Sequence, residues 1–115
     1  MKLPNLDQAV VSTEKILGYL LSATHSTGRH KARFFERFGF SRAAPELLAQ
    51  SLREHARSND VAASERSRFG TRYIIDGGLH SPDGRNPQVR VLWFVESGSD
   101  MPHLVTVYPI QEART

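Results

Sequence analysis

Hydrophobic periodicity changes once along this chain, near residue 60, and this change limits the possible fold classes more than any other property of the sequence. Before residue 60, apolar residues recur at the three- and four-residue spacings of amphipathic helices. After it, β-branched and aromatic residues cluster in short runs separated by turn residues, which is typical of strands joined by hairpins. Helices followed by strands predict an α+β fold.

Three helices are expected in the first half, at about 12–22, 26–39 and 45–59. Pro45 favours a first helical turn, and Gly39 tolerates the left-handed conformation found just beyond helix ends. The side chains expected to face the core are Ile16, Leu17, Leu20 and Leu21 in the first helix, Ala32, Phe35 and Phe38 in the second, and Leu47, Leu48, Ser51, Leu52 and His55 or Ala56 in the third.

Four strands are expected in the second half, at about 61–68, 71–78, 88–96 and 103–110. The connections are too short for parallel crossovers, so the strands should form an antiparallel meander, with the helices covering one face. We therefore expect one domain, 1–115, in which about three helices (about 1–60) pack on a four-stranded sheet (about 61–110).

Strict alternation along the last two strands predicts their two faces. The core face should carry Val89, Val91, Trp93, Val95, Val105 and Val107, and the open face Arg90, Thr106 and Tyr108, with Arg72 or Tyr73 from the second strand. An arginine, a threonine and a tyrosine on an open sheet face can bind a phosphate, donate protons and stack on bases. The alternative is an ordinary half-exposed sheet.

The composition excludes several classes of protein. None of the 115 residues is a cysteine, which removes disulfide frameworks, thiolate zinc sites and cysteine nucleophiles. The sequence has no run of roughly 18 apolar residues, and its amino terminus lacks the apolar stretch of a signal peptide. We expect a soluble, cytoplasmic protein with no membrane association, no bound metal and no cofactor.

Positive charge is concentrated in one segment. The net charge is only +3, but residues 25–42 contain five Lys or Arg residues against the single acid Glu36, a local charge of +4. Arg29, Arg33 and Arg37 fall at i, i+4 and i+8 and so form one stripe on the second helix. Local positive density of this kind attracts nucleic-acid phosphates, and free N–H groups at the helix start would add to it. A solvated helix face is the alternative.

The five histidines differ in their candidacy for proton transfer, the reaction that an imidazole performs best near neutral pH. His25 and His30 lie beside the basic segment and are the leading candidates. His55 is expected to be a packing or partly exposed residue, and His80 and His103 to be surface residues. The spacing of His25 and His30 does not match helical zinc motifs, so no metal site is expected.

Several short motifs together resemble a family of small uncharacterised bacterial domains. They are Lys2-Leu3-Pro4-Asn5, Leu20-Leu21, His25, Gly28, Lys31-Ala32, Phe34-Phe35, Gly39-Phe40, Tyr73, Pro82-Asp83-Gly84, Val89-Arg90, Trp93, Thr106 and Tyr108-Pro109. The family is a domain of unknown function that occurs in stand-alone genes and at the carboxyl ends of polymorphic toxins. Helices followed by a four-stranded meander are also similar to the ribonuclease fold of barnase, EndoU and RelE-type toxins.

The resemblance implies a metal-independent ribonuclease toxin. In such toxins a basic residue or histidine on the helix before the sheet, and polar residues on the late strands, act on RNA. His30, Lys31, Arg90, Thr106 and Tyr108 occupy comparable places, and the family pattern favours Lys31 over His30 because position 30 often differs. Lys31, Arg90 or Arg72 would bind the phosphate, His25 or His30 would transfer the proton, and Tyr108 would be a donor.

A second hypothesis is a non-catalytic module that binds nucleic acid or protein, including an antitoxin or immunity-type partner. The basic stripe alone supports this reading. The expected partners are RNA or another nucleic acid, and a small acidic antitoxin or immunity protein.

Overall fold

Residues 1–110 are described by the structure, a computed structural model, and the last five residues of the predicted domain 1–115 lie outside this range. Three helices precede a four-stranded antiparallel sheet, which confirms the predicted α+β fold. A 3-10 turn at Leu6–Gln8 lies ahead of them. Among the described residues, no helix is both long enough and apolar enough to cross a membrane.

The first helix is short and changes type. Helix α1 covers Thr13–Lys15 and continues as a π-helix at Ile16–Leu20. Its start is capped by the Ser12 hydroxyl, which accepts a hydrogen bond from the Lys15 N–H at 3.1 Å. Periodicity predicted the helix but not its π-helical turn, in which the backbone hydrogen bond spans five residues rather than four.

Helices α2 (Gly28–Arg37) and α3 (Pro45–Ser58) lie close to their predicted positions. Gly39, just beyond α2, has a φ of +98°, as expected for a residue that ends a helix. The inner side of α3 consists of Leu48, Ala49, Leu52, His55 and Ala56. The prediction that Leu47 faces inward is wrong, because this residue lies off that arc in the first turn and is exposed.

Strands β1 (Val61–Ser67), β2 (Gly70–Gly78), β3 (Gln88–Glu96) and β4 (His103–Pro109) form a meander in the order β1-β2-β3-β4. The register pairs Asp76 with Arg90 and Arg90 with Tyr108 across the last three strands. Paired residues share a face, so Arg90, Thr106 and Tyr108 lie on the same side of the sheet, as alternation indicated.

One core joins the helices to the other side of the sheet. Its largest fully buried side chains include Trp93 from β3, Phe35 from α2 and Ile75 from β2. The prediction that Val105 continues the core is wrong. The pairing of β3 with β4 shifts between Leu92 and Trp93, so Val105 is an extra residue that becomes exposed while Leu104 turns inward.

The outer edge of β4 is partly covered by other segments. Val10 pairs with the start of the strand, since its N–H donates to the carbonyl of Pro102 and its carbonyl accepts from the N–H of Leu104. Further along, the Lys31 side chain donates to the carbonyl of Val107. Helix α2 is thereby held against the β4 edge, and this contact forms the candidate site.

Candidate functional site

A cleft of about 390 Å³ lies where the first turns of α2 meet the edge of β4. We call it the edge cleft, and it is lined by Tyr19, Thr27, His30, Lys31, Phe34, Thr106, Tyr108 and Pro109. It brings together four residues predicted from the sequence, namely His30, Lys31, Thr106 and Tyr108. Their order along the chain did not reveal this proximity, because more than 70 residues separate the two segments.

Lys31 is the central cation of the edge cleft. Its Nζ donates to the carbonyl oxygen of Val107 at 2.8 Å and lies 4.7 Å from the centre of the Tyr108 ring. Partial burial lowers the pKa of Lys31. In the described part of the chain no carboxylate lies within 4.0 Å of this ammonium group. Since only one N–H is used, the others are available to an anion in the cleft.

Side chains with hydroxyl groups line the edge cleft from the π-helical turn, from the residue before α2 and from β4. The Tyr19 hydroxyl and Thr106 Oγ1 are 3.0 Å apart, which joins the π-helical turn to β4. Tyr108 belongs to the same strand as Thr106 and is partly exposed. His30 lies on the first turn of α2 and is exposed. The edge cleft therefore contains one cation, one imidazole and four side-chain hydroxyls, which are groups suited to binding a phosphate and moving protons.

Sequence analysis missed Tyr19. In a regular α-helix Tyr19 falls beside the apolar stripe of α1, and nothing in the spacing assigns it to a site. The residue reaches the cleft because the π-helical turn redirects it. The weak signal that existed was a polar aromatic residue directly after a helical glycine, Gly18.

His25 is not among the residues that line the cleft, and its side chain is hydrogen-bonded to the backbone at the start of α2. Its Nδ1 accepts hydrogen bonds from the N–H groups of Thr27 and Gly28 at 3.1 and 3.0 Å, and its carbonyl accepts from the N–H of Arg29. The start of α2 is thus capped from within the chain. The N–H groups of Gly28 and Arg29, the first two of α2, therefore already have acceptors.

Arg90 and Arg72 lie outside the edge cleft, on the open face of the sheet. Arg90 makes a bidentate ion pair with Asp76 at 2.8 and 2.9 Å, and hydrogen bonds from Arg90 lower the pKa of the Asp76 carboxyl. Arg72 Nη1 lies 3.8 Å from Glu65 Oε2. Both guanidinium groups have a carboxylate partner, which makes them weaker candidates for phosphate binding than Lys31.

The arginine stripe, Arg29, Arg33 and Arg37, is exposed along α2 and leads away from the cleft. Within residues 1–110 none of these guanidinium groups is paired with a carboxylate. Arg42, the remaining basic residue of the segment, instead donates hydrogen bonds to the carbonyls of Leu17 and Leu21 in and after the π-helical turn. The stripe keeps its positive charge available for a ligand.

No metal centre emerges from this geometry. Among residues 1–110, no group of three or more histidine, aspartate or glutamate side chains is placed to hold a metal ion. The edge cleft has oxygen and nitrogen donors but contains no carboxylate. The charged side chain that lines it is the ammonium group of Lys31.

Fold and cleft define a small α+β domain with helices on one face of a four-stranded meander and a lysine-containing cleft at the edge strand. The chain belongs to the family described as a domain of unknown function, DUF6883, whose family model matches residues 2–111. No curated protein matches the sequence.

Among solved structures, the chain is similar to one described as a contact-dependent growth inhibition toxin–immunity protein complex from Klebsiella pneumoniae 342. The TM-score is 0.73 and the sequence identity 16%, and the match covers 93% of this chain and 97% of that chain. At this identity the likeness shows a shared fold.

Proposed function

We propose that the chain is an RNA-cleaving toxin domain that acts through the edge cleft without a metal ion. The observation that carries the proposal is the position of Lys31. Its ammonium is partly buried, held by the Val107 carbonyl and the Tyr108 ring, and unpaired with any described carboxylate. A partly desolvated cation in a cleft with one imidazole and four hydroxyls is suited to stabilising the charge that develops on a phosphate during transfer.

In the proposed reaction, RNA is cleaved by attack of its own 2′-hydroxyl, and His30, Lys31 and Tyr108 each have a role. His30 accepts the 2′-hydroxyl proton as the 2′-oxygen attacks phosphorus, and Lys31 stabilises the charge on the non-bridging oxygens. The bond from phosphorus to the 5′-oxygen breaks, and the Tyr108 hydroxyl donates a proton to that leaving oxygen. The products are a 2′,3′-cyclic phosphate and a 5′-hydroxyl end.

The arginine stripe extends the cleft into a binding surface for RNA. Arg29 and Arg37 are eight residues apart on α2, which corresponds to about 12 Å along a helix axis. Unpaired arginines over such a distance can contact phosphates on either side of the one that reacts. In this proposal Arg90 and Arg72 form ion pairs across strands of the sheet and do not bind the substrate.

A toxin role is supported by the fold shared with a chain of the toxin–immunity complex. A toxin that cleaves RNA requires neutralisation in the cell that produces it, so the proposal includes an acidic protein partner. Such a partner would complement the positive charge of α2.

The chemical test is cleavage by purified protein in the presence of EDTA. The wild type should convert RNA into fragments with 2′,3′-cyclic phosphate ends, and Lys31→Ala should reduce the rate by at least about 100-fold, as expected for a lost transition-state cation. Lys2→Ala is the matched control, because Lys2 pairs with Asp60 away from the cleft. Equal rates for the wild type and Lys31→Ala would refute the assignment.

The cellular test is induction in a susceptible bacterium followed by inspection of total RNA. Growth arrest with RNA fragmentation is expected from the wild type, and Lys31→Ala should relieve both while accumulating as folded protein. Binding to RNA that weakens steeply with salt, without cleavage after long incubation, would instead favour the non-catalytic module, which the unpaired arginine stripe alone could support.

A further inference from the structure

Tyr19 and Thr106 line the edge cleft and are hydrogen-bonded to each other there, and neither has a role in the mechanism above. We infer that Tyr19 is a positioning residue: its hydroxyl donates to Thr106 Oγ1 and thereby turns the Thr106 O–H toward the phosphate. The inference rests on the proposed function and adds a specific donor to it.

The direction of the hydrogen bond follows from the two hydroxyls involved. Tyr19 Oη and Thr106 Oγ1 are 3.0 Å apart, and either atom could donate on distance alone. A phenol is the stronger donor and an aliphatic hydroxyl the better acceptor, so the phenol proton lies between them. The Thr106 proton is then free to point elsewhere, and Thr106 lines the cleft.

Backbone geometry brings Tyr19 to this position. The π-helical turn is closed by the Leu21 N–H, which donates to the carbonyl of Ile16 at 2.7 Å. Arg42 bonds the carbonyls of Leu17 and Leu21 and holds the same turn from outside. π-helical turns of this kind are uncommon and recur at functional sites, which is independent support for a role of Tyr19.

The Tyr19 ring is fixed from two sides. The His25 ring meets it edge-on, with ring centres 4.9 Å apart, and the Lys15 ammonium lies 5.2 Å from its centre. The first residue of α2 lies against it closely, because a Cβ on Gly28 would be 3.0 Å from Tyr19 Cδ1. A ring held in this way fixes the direction of its hydroxyl, as positioning requires.

A double-mutant cycle on the cleavage rate tests the inference. Thr106→Val should lower kcat by about 100-fold, the usual effect of losing one transition-state donor, and Tyr19→Phe by about tenfold, because the donor remains but is no longer oriented. KM should change less than twofold in both. The double variant should be no slower than Thr106→Val, since Tyr19 acts only through Thr106.

Two further variants separate positioning from packing. Thr106→Ser keeps the hydroxyl and should retain most of the rate when Tyr19 is present. Tyr73→Phe is the matched control, because Tyr73 lies against the core in β2, and its kcat should equal that of the wild type. Circular dichroism at the assay temperature verifies that each variant is folded.

Three results would overturn the inference while leaving the proposed function intact. They are a Tyr19→Phe variant with wild-type kcat, a Tyr19→Phe variant that raises KM alone, and losses that multiply in the double variant. Absence of cleavage by the wild type would instead refute the proposed function itself.

Discussion

His25 shows how one side chain can define the start of a helix without lining the adjacent cleft. Its Nδ1 accepts from the backbone N–H groups of Thr27, the residue before α2, and Gly28, the first residue of α2, as the oxygen of an N-cap residue does. We expect His25→Ala to lower the free energy of unfolding by about 1 kcal/mol, the typical effect of a lost cap, as measured by urea denaturation.

The control for this prediction is His25→Asn. The side-chain oxygen of asparagine is attached to Cγ, as Nδ1 is in histidine, and so can accept the same hydrogen bonds. Stability close to that of the wild type is expected. An equal loss in both variants would show that the contact between the rings of His25 and Tyr19, rather than the cap, stabilises this region.

Burial of His55 predicts that the stability of the protein depends on pH. His55 is buried in α3, with Nε2 3.2 Å from the carbonyl of Gly77, and burial lowers its pKa from 6.5 despite that carbonyl and the nearby Asp76 carboxylate. The unfolded chain therefore binds more protons than the folded one. Stability should be full above about pH 6.5 and fall as the pH drops below that value, by at most about 1.4 kcal/mol per unit.

Urea denaturation between pH 7 and 5 measures this dependence. His55→Gln removes the titrating group and should flatten the curve in that range, whatever its effect on stability at pH 7. His80→Gln, which changes an exposed histidine, should retain the wild-type slope. An unchanged slope in His55→Gln would show that another group is responsible.

The residue types of the site were more predictable than their partners. The basic segment pointed to Lys31, and the late-strand alternation to Thr106 and Tyr108. The ion pair between Arg90 and Asp76 could not be predicted, because it depends on the register of two strands separated by a nine-residue turn region. That single pairing distinguishes Arg90 from the unpaired arginines of α2.

At the level of elements, the packing of α2 against the π-helical turn depends on the absence of a side chain at Gly28. A Cβ there would lie 2.1 Å from the backbone oxygen of Tyr19. Replacing a helical glycine by alanine ordinarily stabilises by about 1 kcal/mol, but here the added methyl group must displace backbone. We expect Gly28→Ala to destabilise the protein by about 1–3 kcal/mol, the usual range for overpacking.

Gly18→Ala is the matched control for this prediction. Gly18 lies in the π-helical turn, and a Cβ there would have no heavy atom within 4 Å. Urea denaturation should show stability equal to or above that of the wild type. Because Gly28→Ala displaces Tyr19, it should also slow RNA cleavage, whereas Gly18→Ala should not. A Gly28→Ala protein as stable as the wild type would contradict the close packing.

Strand boundaries followed from local turn chemistry, and for this reason they were predicted to within about two residues. The Pro82-Asp83-Gly84 turn and Gly98 divide runs whose composition already favours strands. The irregular features were not predictable in this way. The extra residue at Val105 and the π-helical turn each depend on tertiary contacts that override simple alternation and spacing.

Over the whole molecule, the location of the site depends on which sheet edge α2 contacts. Periodicity indicated that helices cover one face, but it does not distinguish β1 from β4. Two contacts identify this edge as β4: the hydrogen bond from Lys31 to the Val107 carbonyl and the pairing of Val10 with the start of the strand. The carboxyl end of α2 lies against the turn between β2 and β3, where the Asp83 N–H donates to the Phe38 carbonyl, so the arginine stripe is separate from the charged hairpin between β1 and β2.

If the chain binds RNA as proposed, this arrangement predicts that the salt dependence of binding comes from the arginines of α2. The net charge of +3 is small, so global charge contributes little compared with the unpaired arginines of α2. In a 2′-O-methyl oligonucleotide, which lacks the attacking hydroxyl, binding can be measured without cleavage. The double variant Arg33→Gln/Arg37→Gln should reduce the slope of log affinity against log salt by about 1.4, or about 0.7 per lost phosphate contact.

The control removes the same number of charges from the opposite edge of the sheet. Arg66→Gln/Arg68→Gln changes two exposed arginines of the β1–β2 hairpin, three strands away from the edge cleft. It lowers the net charge by the same two units and should leave the slope unchanged, because counterions are released only where phosphates are neutralised. Equal effects of the two double variants would mean that RNA responds to the total charge of the protein, and the assignment of its path along α2 would be wrong.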